Sequence, residues 1–181
     1  MPVSEAPLAD GSPPLAPLAL LARIEALGIR HHTVEHVPVY TVEESKRLRG
    51  DLPGGHIKNL FLRNKRGRMW LVTCHEDRRI DLRSLGDAIG GGRLSFASPE
   101  RLARHLGVVP GAVTPLAAVN DRTGVVEVVL DARLMAMSPV HVHPLDNAMT
   151  TAMEPGDLVR FLEAVDHPPR IVDLDLHAAS G

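Results

Sequence analysis

The stretch His56–Leu62, with the sequence HIKNLFL, predicts a buried β-strand and is the part of the chain that decides the fold. Successive side chains of a strand point to opposite faces, so Lys58 shares one face with two leucines while Asn59 lies on the other. An ammonium beside two leucines is costly to desolvate unless an anion or a carbonyl oxygen meets it. Lys58 is therefore either a ligand-binding lysine or an edge-strand lysine that discourages aggregation.

Around this strand the sequence changes between helical and extended patterns. Helices are predicted over residues 18–27, 41–49, 81–89 and 98–106, and from the turn at 154–157 up to 165. Strands are predicted over residues 32–36, 69–73, 125–130, 140–143 and 170–174, with a loop at 50–55 and a hairpin turn at 64–67. These elements lack strict βαβ alternation, which favours an α+β domain with a mixed, mostly antiparallel sheet flanked by helices.

The length of 181 residues is enough for one domain with a full core. Residues 1–14 are rich in Pro, Ala and Ser and predict a disordered leader, which leaves residues 15–181 as the domain. Aromatic residues make up only 3% of the chain, which argues against a ladder of aromatic platforms for single-stranded nucleic acid. The net charge of −2 provides no overall basic field, although a local basic patch is compatible with it.

The cysteine count and the N-terminus indicate a cellular compartment. The single cysteine, Cys74, excludes an internal disulfide and a multi-cysteine zinc site. No basic residue precedes the apolar run at 15–27, and no run is long enough to span a membrane. We therefore expect a soluble, cytoplasmic protein without a membrane partner.

The loop at 107–115, with the sequence GVVPGAVTP, is the most distinctive one in the chain. Its two glycines and two prolines impose an unusual backbone path. Such a path can aim several amide N–H groups at one point, where they bind a carbonyl oxygen, an oxyanion or a phosphate. The alternative is a rigid connector between a helix and a strand.

The segment 140–147, VHVHPLDN, carries two histidines on one strand face, His141 and His143. Such a pair can ligate zinc or iron if a third ligand is present. Pro144 holds His143 extended at the strand end, which suits a single positioned histidine better. Cys74 and His75 point to opposite faces, so a buried, inert thiol is favoured over a nucleophile.

Basic residues form three groups that are either solvated surface or, if they converge on one rim, a site for a phosphate backbone. The groups are Lys65, Arg66 and Arg68; Arg78, Arg79 and Arg83; and Arg101 and Arg104.

Three motifs in order, KNLF at 58–61, GAVTP at 111–115 and HPLDN at 143–147, resemble the YbaK/ProX family of aminoacyl-tRNA deacylases. This family includes the editing domain inserted in bacterial prolyl-tRNA synthetases. The resemblance covers residues 18–174 and is greatest to the free-standing ProX branch, which hydrolyses alanine mischarged on tRNA(Pro). It implies a one-domain α+β fold and ester hydrolysis without a metal or organic cofactor. It also implies a water assisted by the ribose hydroxyl of the tRNA rather than a protein nucleophile.

The resemblance also implies the partners and the site. The partners would be the acceptor end of a mischarged tRNA and, for docking, prolyl-tRNA synthetase. Lys58 would contact the tRNA end, backbone amides of the loop would meet the terminal adenosine and the scissile carbonyl, and His143 would shape the amino-acid pocket. The expected catalytic residues are Lys58, Gly111, Ala112 and His143, and the expected substrate-binding residues are Asn59, Val113, Thr114, Pro115 and Asn147.

Three alternatives remain open: a deacylase for another mischarged residue such as cysteine or serine, a non-catalytic nucleic-acid-binding module on the same fold, and a metal enzyme built on His141 and His143. One geometric conflict also remains, because alternation turns Lys58 and Asn59 apart while the resemblance gives both a site role. Either a bulge brings both to the site, or Asn59 acts from behind the residues that touch the substrate.

Overall fold

A computed structural model describes residues 3–50 and 52–175. The helices are α1 (Pro17–Ala26), α2 (Val42–Arg49), α3 (Leu82–Ile89), α4 (Pro99–Leu106) and α5 (Pro155–Ala164). The strands are β1 (His31–Glu35), β2 (Gly55–Arg63), β3 (Met69–His75), β4 (Ser95–Phe96), β5 (Val126–Asp131), β6 (Val140–Val142), β7 (Met149–Met153) and β8 (Arg170–Val172). Two 3-10 helices, Pro115–Asn120 and Ala132–Ala136, complete the structure. Asp51 of the predicted 50–55 loop and the end of the predicted domain at 176–181 lie outside the described residues.

The sheet has eight strands in the order β1-β7-β6-β2-β3-β5-β8, with β4 pairing beside β2. Four of the pairings are antiparallel and three are parallel, which confirms the predicted mixed α+β architecture. β2 is central. It pairs with β3 along one edge and, along the other, with β6 at its start and β4 at its end.

The two faces of β2 enter two hydrophobic cores. Phe61 lies in the larger core, which α1, α4 and α5 cover, and Leu62 lies in the smaller one under α3. The apolar alternation of HIKNLFL is therefore satisfied on both faces, as expected for a strand buried on both sides.

The predicted helix boundaries rest on capping chemistry. Thr41 accepts a hydrogen bond from the Glu44 backbone N–H, and the Glu44 side chain returns to Thr41, which forms the predicted capping box of α2. Gly90 and Gly107 end α3 and α4 in the left-handed conformation. At Gly107 a side chain would also collide with the Asn120 amide, 2.7 Å from an added Cβ, so glycine is required there twice over.

The described part of the predicted disordered leader is packed instead. Leu8 is 4% exposed, Val3 forms an isolated β-bridge with Val108, and the Ala9 N–H donates to the Arg104 carbonyl at 2.8 Å. The prediction of disorder is therefore wrong for residues 3–14, because a composition rich in Pro and Ala did not reveal the backbone hydrogen bonds that Ser4 and Ala9 make at the C-terminal end of α4. Residues 1–2 lie outside the described part of the chain. None of the described helices is both long and apolar enough to cross a membrane.

Candidate functional site

Asn59 is anchored on the larger-core face of β2. Its side-chain Nδ2 donates to the Val113 carbonyl at 3.0 Å, and its Oδ1 accepts from the Thr73 hydroxyl at 2.7 Å. The amide therefore joins β2, β3 and the 107–115 loop. Each of its two polar atoms has a protein partner, so Asn59 fixes where the loop lies relative to the strand.

Lys58 occupies the opposite face, as the alternation predicts. Its Nζ donates to the Arg78 carbonyl, which is the type of partner that an ammonium beside leucines requires. The guanidinium of Arg78 is in turn held by the buried Asp131, with Nε to Oδ2 at 2.6 Å. An ammonium has three N–H donors, so two remain for other partners.

The structure resolves the conflict between Lys58 and Asn59 without a bulge. The pairing of β2 with β3 is continuous from Ile57 to Arg63. On its other edge, however, β2 pairs with β6 only at 55–56 and with β4 only at 62–63, and no described strand pairs with residues 57–60 there. A pocket of about 240 Å³ lies across this free edge, and consecutive residues from both faces of the strand line it. We call it the small pocket.

The small pocket brings together five of the predicted site residues: Lys58, Asn59, Gly111, Val113 and His143. The sequence did not indicate its other walls, which come from residues 39–42, Ser45, Ile57 and Glu76. The capping box predicts where α2 begins, but nothing in the sequence indicates that α2 covers this end of β2.

Gly111 has a φ of +91°, a backbone conformation that residues other than glycine rarely adopt. An added Cβ would lie 3.0 Å from the ring of Tyr40, which is 65% exposed at the mouth of the small pocket. Among the described residues, no hydrogen bond uses the N–H groups of Gly111 or Val113. These two amides are therefore available to a ligand.

The structure does not bring Ala112, Thr114 or Pro115 into the small pocket. Ala112 is fully buried, and its N–H donates to the Val109 carbonyl at 3.0 Å. Thr114 is buried, and its hydroxyl accepts from the Leu116 N–H at 3.3 Å where the first 3-10 helix begins. These residues hold the shape of the loop, and the Ala112 N–H is used within the loop rather than offered to a ligand.

His143 is held in one tautomer. Its Nδ1 donates to the Met149 carbonyl at 2.8 Å, because a carbonyl oxygen can only accept. Burial lowers the pKa of His143, and the neighbouring His36 lowers it further. The ring is therefore neutral near pH 7, which leaves Nε2 as a hydrogen-bond acceptor at the small pocket.

Asn147 supports the pocket wall and does not line it. The side chain is 4% exposed, and its Nδ2 donates to the Val39 carbonyl at 2.9 Å. The Val39 N–H donates back to the Asn147 carbonyl at 3.2 Å. This two-way contact fixes the segment that leads into α2.

A second cavity of about 550 Å³, the large groove, adjoins the small pocket. His143 and Asn59 line both cavities, and His56 and His141 stack in the large groove with centroids 4.7 Å apart. Both stacked rings contact backbone carbonyls, His56 that of Leu52 and His141 that of Pro53. The described residues contain no group of three or more His, Cys, Asp or Glu side chains arranged to hold a metal ion.

Two ion pairs hold α2 over the site. Arg49 pairs with Glu76, which is buried and lines the small pocket, and Lys46 pairs with Asp77 at 2.6 Å on the surface. α2 buries no side chain of its own, so these contacts rather than a core hold it in place.

Cys74 has the properties of a structural residue. Its side chain is fully buried, and burial raises the pKa of the thiol to about 11. This confirms the interpretation as a small apolar side chain. Of the predicted basic groups, Arg78 is committed to its ion pairs with Asp131 and Asp175.

Comparisons with known proteins agree on one family. The sequence model described as aminoacyl-tRNA editing domain matches residues 36–161. The chain is 40% identical over 157 residues to the prolyl-tRNA editing protein ProX of Acetoanaerobium sticklandii, covering 86% of this chain and 96% of that protein. It is 39% identical over 158 residues to the prolyl-tRNA synthetase associated domain-containing protein 1 of Mus musculus, covering 84% of this chain and 93% of that protein.

Solved structures share the fold. A crystal structure of a proposed trans-editing enzyme for prolyl tRNA synthetase superimposes with a TM-score of 0.67 at 22% sequence identity. The match covers 88% of this chain and 97% of that one.

Proposed function

The chain belongs to the aminoacyl-tRNA editing domain family, and from this premise we propose that it hydrolyses the aminoacyl ester of mischarged tRNA(Pro), with alanine as the amino acid released. The observation that carries the proposal is the convergence of Lys58, Asn59, the Gly111 amide and His143 on one small pocket at the free edge of β2. Its relatives named for prolyl-tRNA editing support tRNA(Pro) as the carrier.

The chemistry required of the protein is modest. An aminoacyl ester is already activated, and a water molecule adds to its carbonyl carbon, after which the ribose oxygen leaves with a proton. We assign stabilisation of the oxyanion to the N–H groups of Gly111 and Val113, which no hydrogen bond among the described residues uses, and one such donor typically contributes about 3 kcal/mol. The inert Cys74 is consistent with water as the nucleophile, and the ribose hydroxyl of the tRNA is the proposed group that assists it.

Lys58 holds the tRNA end in this proposal. Its contact with the Arg78 carbonyl fixes the ammonium at the pocket and leaves two donors for a phosphate or ribose oxygen. Asn59 positions the amide donors, because its contact with the Val113 carbonyl joins the loop to the strand.

His143 orients the amino acid. The acceptor Nε2 suits the ammonium or amine group that every aminoacyl ester carries next to its carbonyl. The small pocket then takes the side chain, and we assign the exclusion of proline to contact of its ring with the pocket walls, which is how an editing site spares the correct product. The large groove has room for the terminal nucleoside.

Serine and cysteine are the second candidates for the released residue, because each is close to alanine in size and would also fit a pocket of about 240 Å³. We place the reaction in the cytoplasm, where charged tRNA is used, and prolyl-tRNA synthetase is a candidate docking partner.

A panel of tRNA(Pro) charged separately with alanine, serine, cysteine and proline tests the proposal. We expect wild-type protein to release alanine well above the buffer rate and to leave prolyl-tRNA intact. The variant Lys58→Ala should lose most of the activity. A chelator added to parallel reactions tests the alternative of a metal-dependent enzyme, for which the chelator should abolish activity. Binding of tRNA without release of any amino acid would favour the non-catalytic module and contradict the proposal.

A further inference from the structure

The turn between β2 and β3 forms a basic hollow at the far end of the sheet from the small pocket. Residues 64–66, Arg68 and 90–93 line a cavity of about 350 Å³, which we call the hairpin cradle. Four of its residues are cations: Lys65, Arg66, Arg68 and Arg93. Among the described residues that line it, none is acidic. The chain as a whole carries a net charge of −2, so this concentration of positive charge is local.

The cradle has a fixed shape. The buried Asn64 accepts hydrogen bonds from the N–H groups of Arg66 and Arg68 through Oδ1, and its Nδ2 donates to the Gly91 carbonyl at 3.0 Å. One side chain therefore joins the hairpin turn to the loop after α3. Gly91 packs so closely that an added Cβ would lie 2.8 Å from Leu94. The cations are thus mounted on a rigid backbone, which reduces the entropy lost when they bind a ligand.

Three of the four cations are uncommitted within the described structure. Arg68 lies over the ring of Trp70 at 5.0 Å and approaches Glu127 at 3.4 Å. Lys65, Arg66 and Arg93 are exposed, and none of them has a salt bridge to a described residue. Exposed and unpaired cations on one rim are the arrangement that a phosphate backbone requires.

The position of the cradle matches a long ligand that starts at the small pocket. With a strand rise of about 3.3 Å per residue, β2 extends about 13 Å from Asn59 to its last residue, Arg63, and Lys65 follows in the turn beyond that end. α3 covers the same sheet face that Lys58 occupies, and it runs toward Gly90 at the cradle. Arg79 precedes α3 and Arg83 lies in its first turn. Both are exposed, so cations occur at both ends of this face.

A purely structural role is the competing explanation. Cations near the C-terminal end of a helix stabilise it by interacting with its partial negative charge, and the cradle lies at the end of α3. That role predicts a loss of thermal stability on neutralisation and no change in nucleic-acid binding. α1 provides a matched control, because Arg23 lies in its last turn and Arg30 follows its end, and both are exposed.

We propose that the hairpin cradle binds the phosphate backbone of the tRNA substrate, beyond the end of β2 that lies opposite the small pocket, so that the enzyme recognises the double-stranded stem by charge as well as the aminoacyl end by shape. This inference rests on the proposed function and names a second contact surface for the same substrate. Double-stranded RNA is read mainly through its backbone, which needs cations rather than aromatic platforms.

The test compares wild type, the cradle variant Arg66→Gln/Arg93→Gln and the control variant Arg23→Gln/Arg30→Gln. Binding of uncharged tRNA(Pro) is measured by fluorescence anisotropy between about 50 and 300 mM salt, because salt in this range screens the attraction between exposed cations and phosphates to different extents. We expect the cradle variant to bind about tenfold more weakly at low salt, with a slope of log K against log salt smaller in magnitude by about 1.5 to 2. The control should match wild type.

Hydrolysis kinetics and melting provide the second readout. On full-length mischarged tRNA we expect the cradle variant to raise KM with kcat unchanged, since the reacting groups are untouched. Binding equal to that of the control overturns the inference, and a lower melting temperature with wild-type binding assigns the cations to α3 instead. If wild type hydrolyses no mischarged tRNA, the proposed function fails, while the anisotropy series still decides whether the cradle binds RNA.

Discussion

The substitution Asn59→Asp tests how the loop amides are positioned. Aspartate is isosteric with asparagine and still accepts from the Thr73 hydroxyl, but it places an oxygen where Nδ2 now donates to the Val113 carbonyl at 3.0 Å. One hydrogen bond of about 1 kcal/mol is lost, and a carboxylate then faces a carbonyl in a partly buried site. We expect the free energy of unfolding to fall by about 2–3 kcal/mol.

The effect of Asn59→Asp on activity should be larger than its effect on stability. A displacement of the Gly111 and Val113 amides by about 1 Å costs about 100-fold in rate, so kcat on Ala-tRNA(Pro) should fall by about that factor. KM should change little, because Lys58 lies on the other face of β2. Single-turnover release of alanine measures the rate, and urea unfolding measures the stability.

Thr73→Val is the matched control for Asn59→Asp. It removes the other hydrogen bond of the same amide, at 2.7 Å, without touching the contact with the loop. We expect a loss of about 1 kcal/mol in stability and a kcat within about threefold of wild type. Equal kcat losses in the two variants, or none in Asn59→Asp, would refute the view that Asn59 acts by holding the loop.

Three further predictions follow from the ion pairs and the histidines. Because burial lowers the pKa of His143, activity should stay level from pH 8 down to about 6.5 and decline only at lower pH, and a pH–rate profile that rises on acidification would contradict this. Arg49→Met leaves the buried Glu76 without its partner and should lower the free energy of unfolding by about 2 kcal/mol. A double-mutant cycle with Glu76→Gln measures the coupling energy of the pair, and a coupling energy of zero would contradict this prediction. The buried His167–Asp121 pair should contribute most to stability between about pH 4 and 6.5. Burial opposes charge on both groups, but their hydrogen bond raises the pKa of His167 and lowers the pKa of Asp121, so the contribution is lost as pH rises through the raised pKa of His167 or falls through the lowered pKa of Asp121. The urea midpoint of unfolding of His167→Gln should lack this pH dependence.

Local chemistry carried most of what the sequence predicted. The alternation in HIKNLFL correctly places Lys58 and Asn59 on opposite faces of β2, and the need of the ammonium for a carbonyl is met by Arg78. The capping box at Thr41 locates the start of α2 to the residue. These features depend on neighbours in sequence, so pattern and capping rules reach them.

What the sequence did not reveal depends on contacts between distant segments. The free edge of β2 at 57–60 exists because β6 and β4 pair only with its two ends, and neither β4 nor β7 was predicted. The pairing of Arg49 with Glu76 joins segments 27 residues apart. The folded path of the loop likewise decides whether the Ala112 N–H donates to a ligand or to the Val109 carbonyl. No local sequence pattern indicates which of the two occurs.

Release of the amino acid from Ala-tRNA(Pro) and Pro-tRNA(Pro), measured side by side for wild type and Lys58→Ala, tests the central claim most directly. We expect rapid release of alanine by wild type, little release of proline, and a loss of most alanine release in Lys58→Ala. Release of proline as fast as alanine, or alanine release that is unchanged without the Lys58 ammonium, would contradict a small pocket at the free edge of β2 as the editing site.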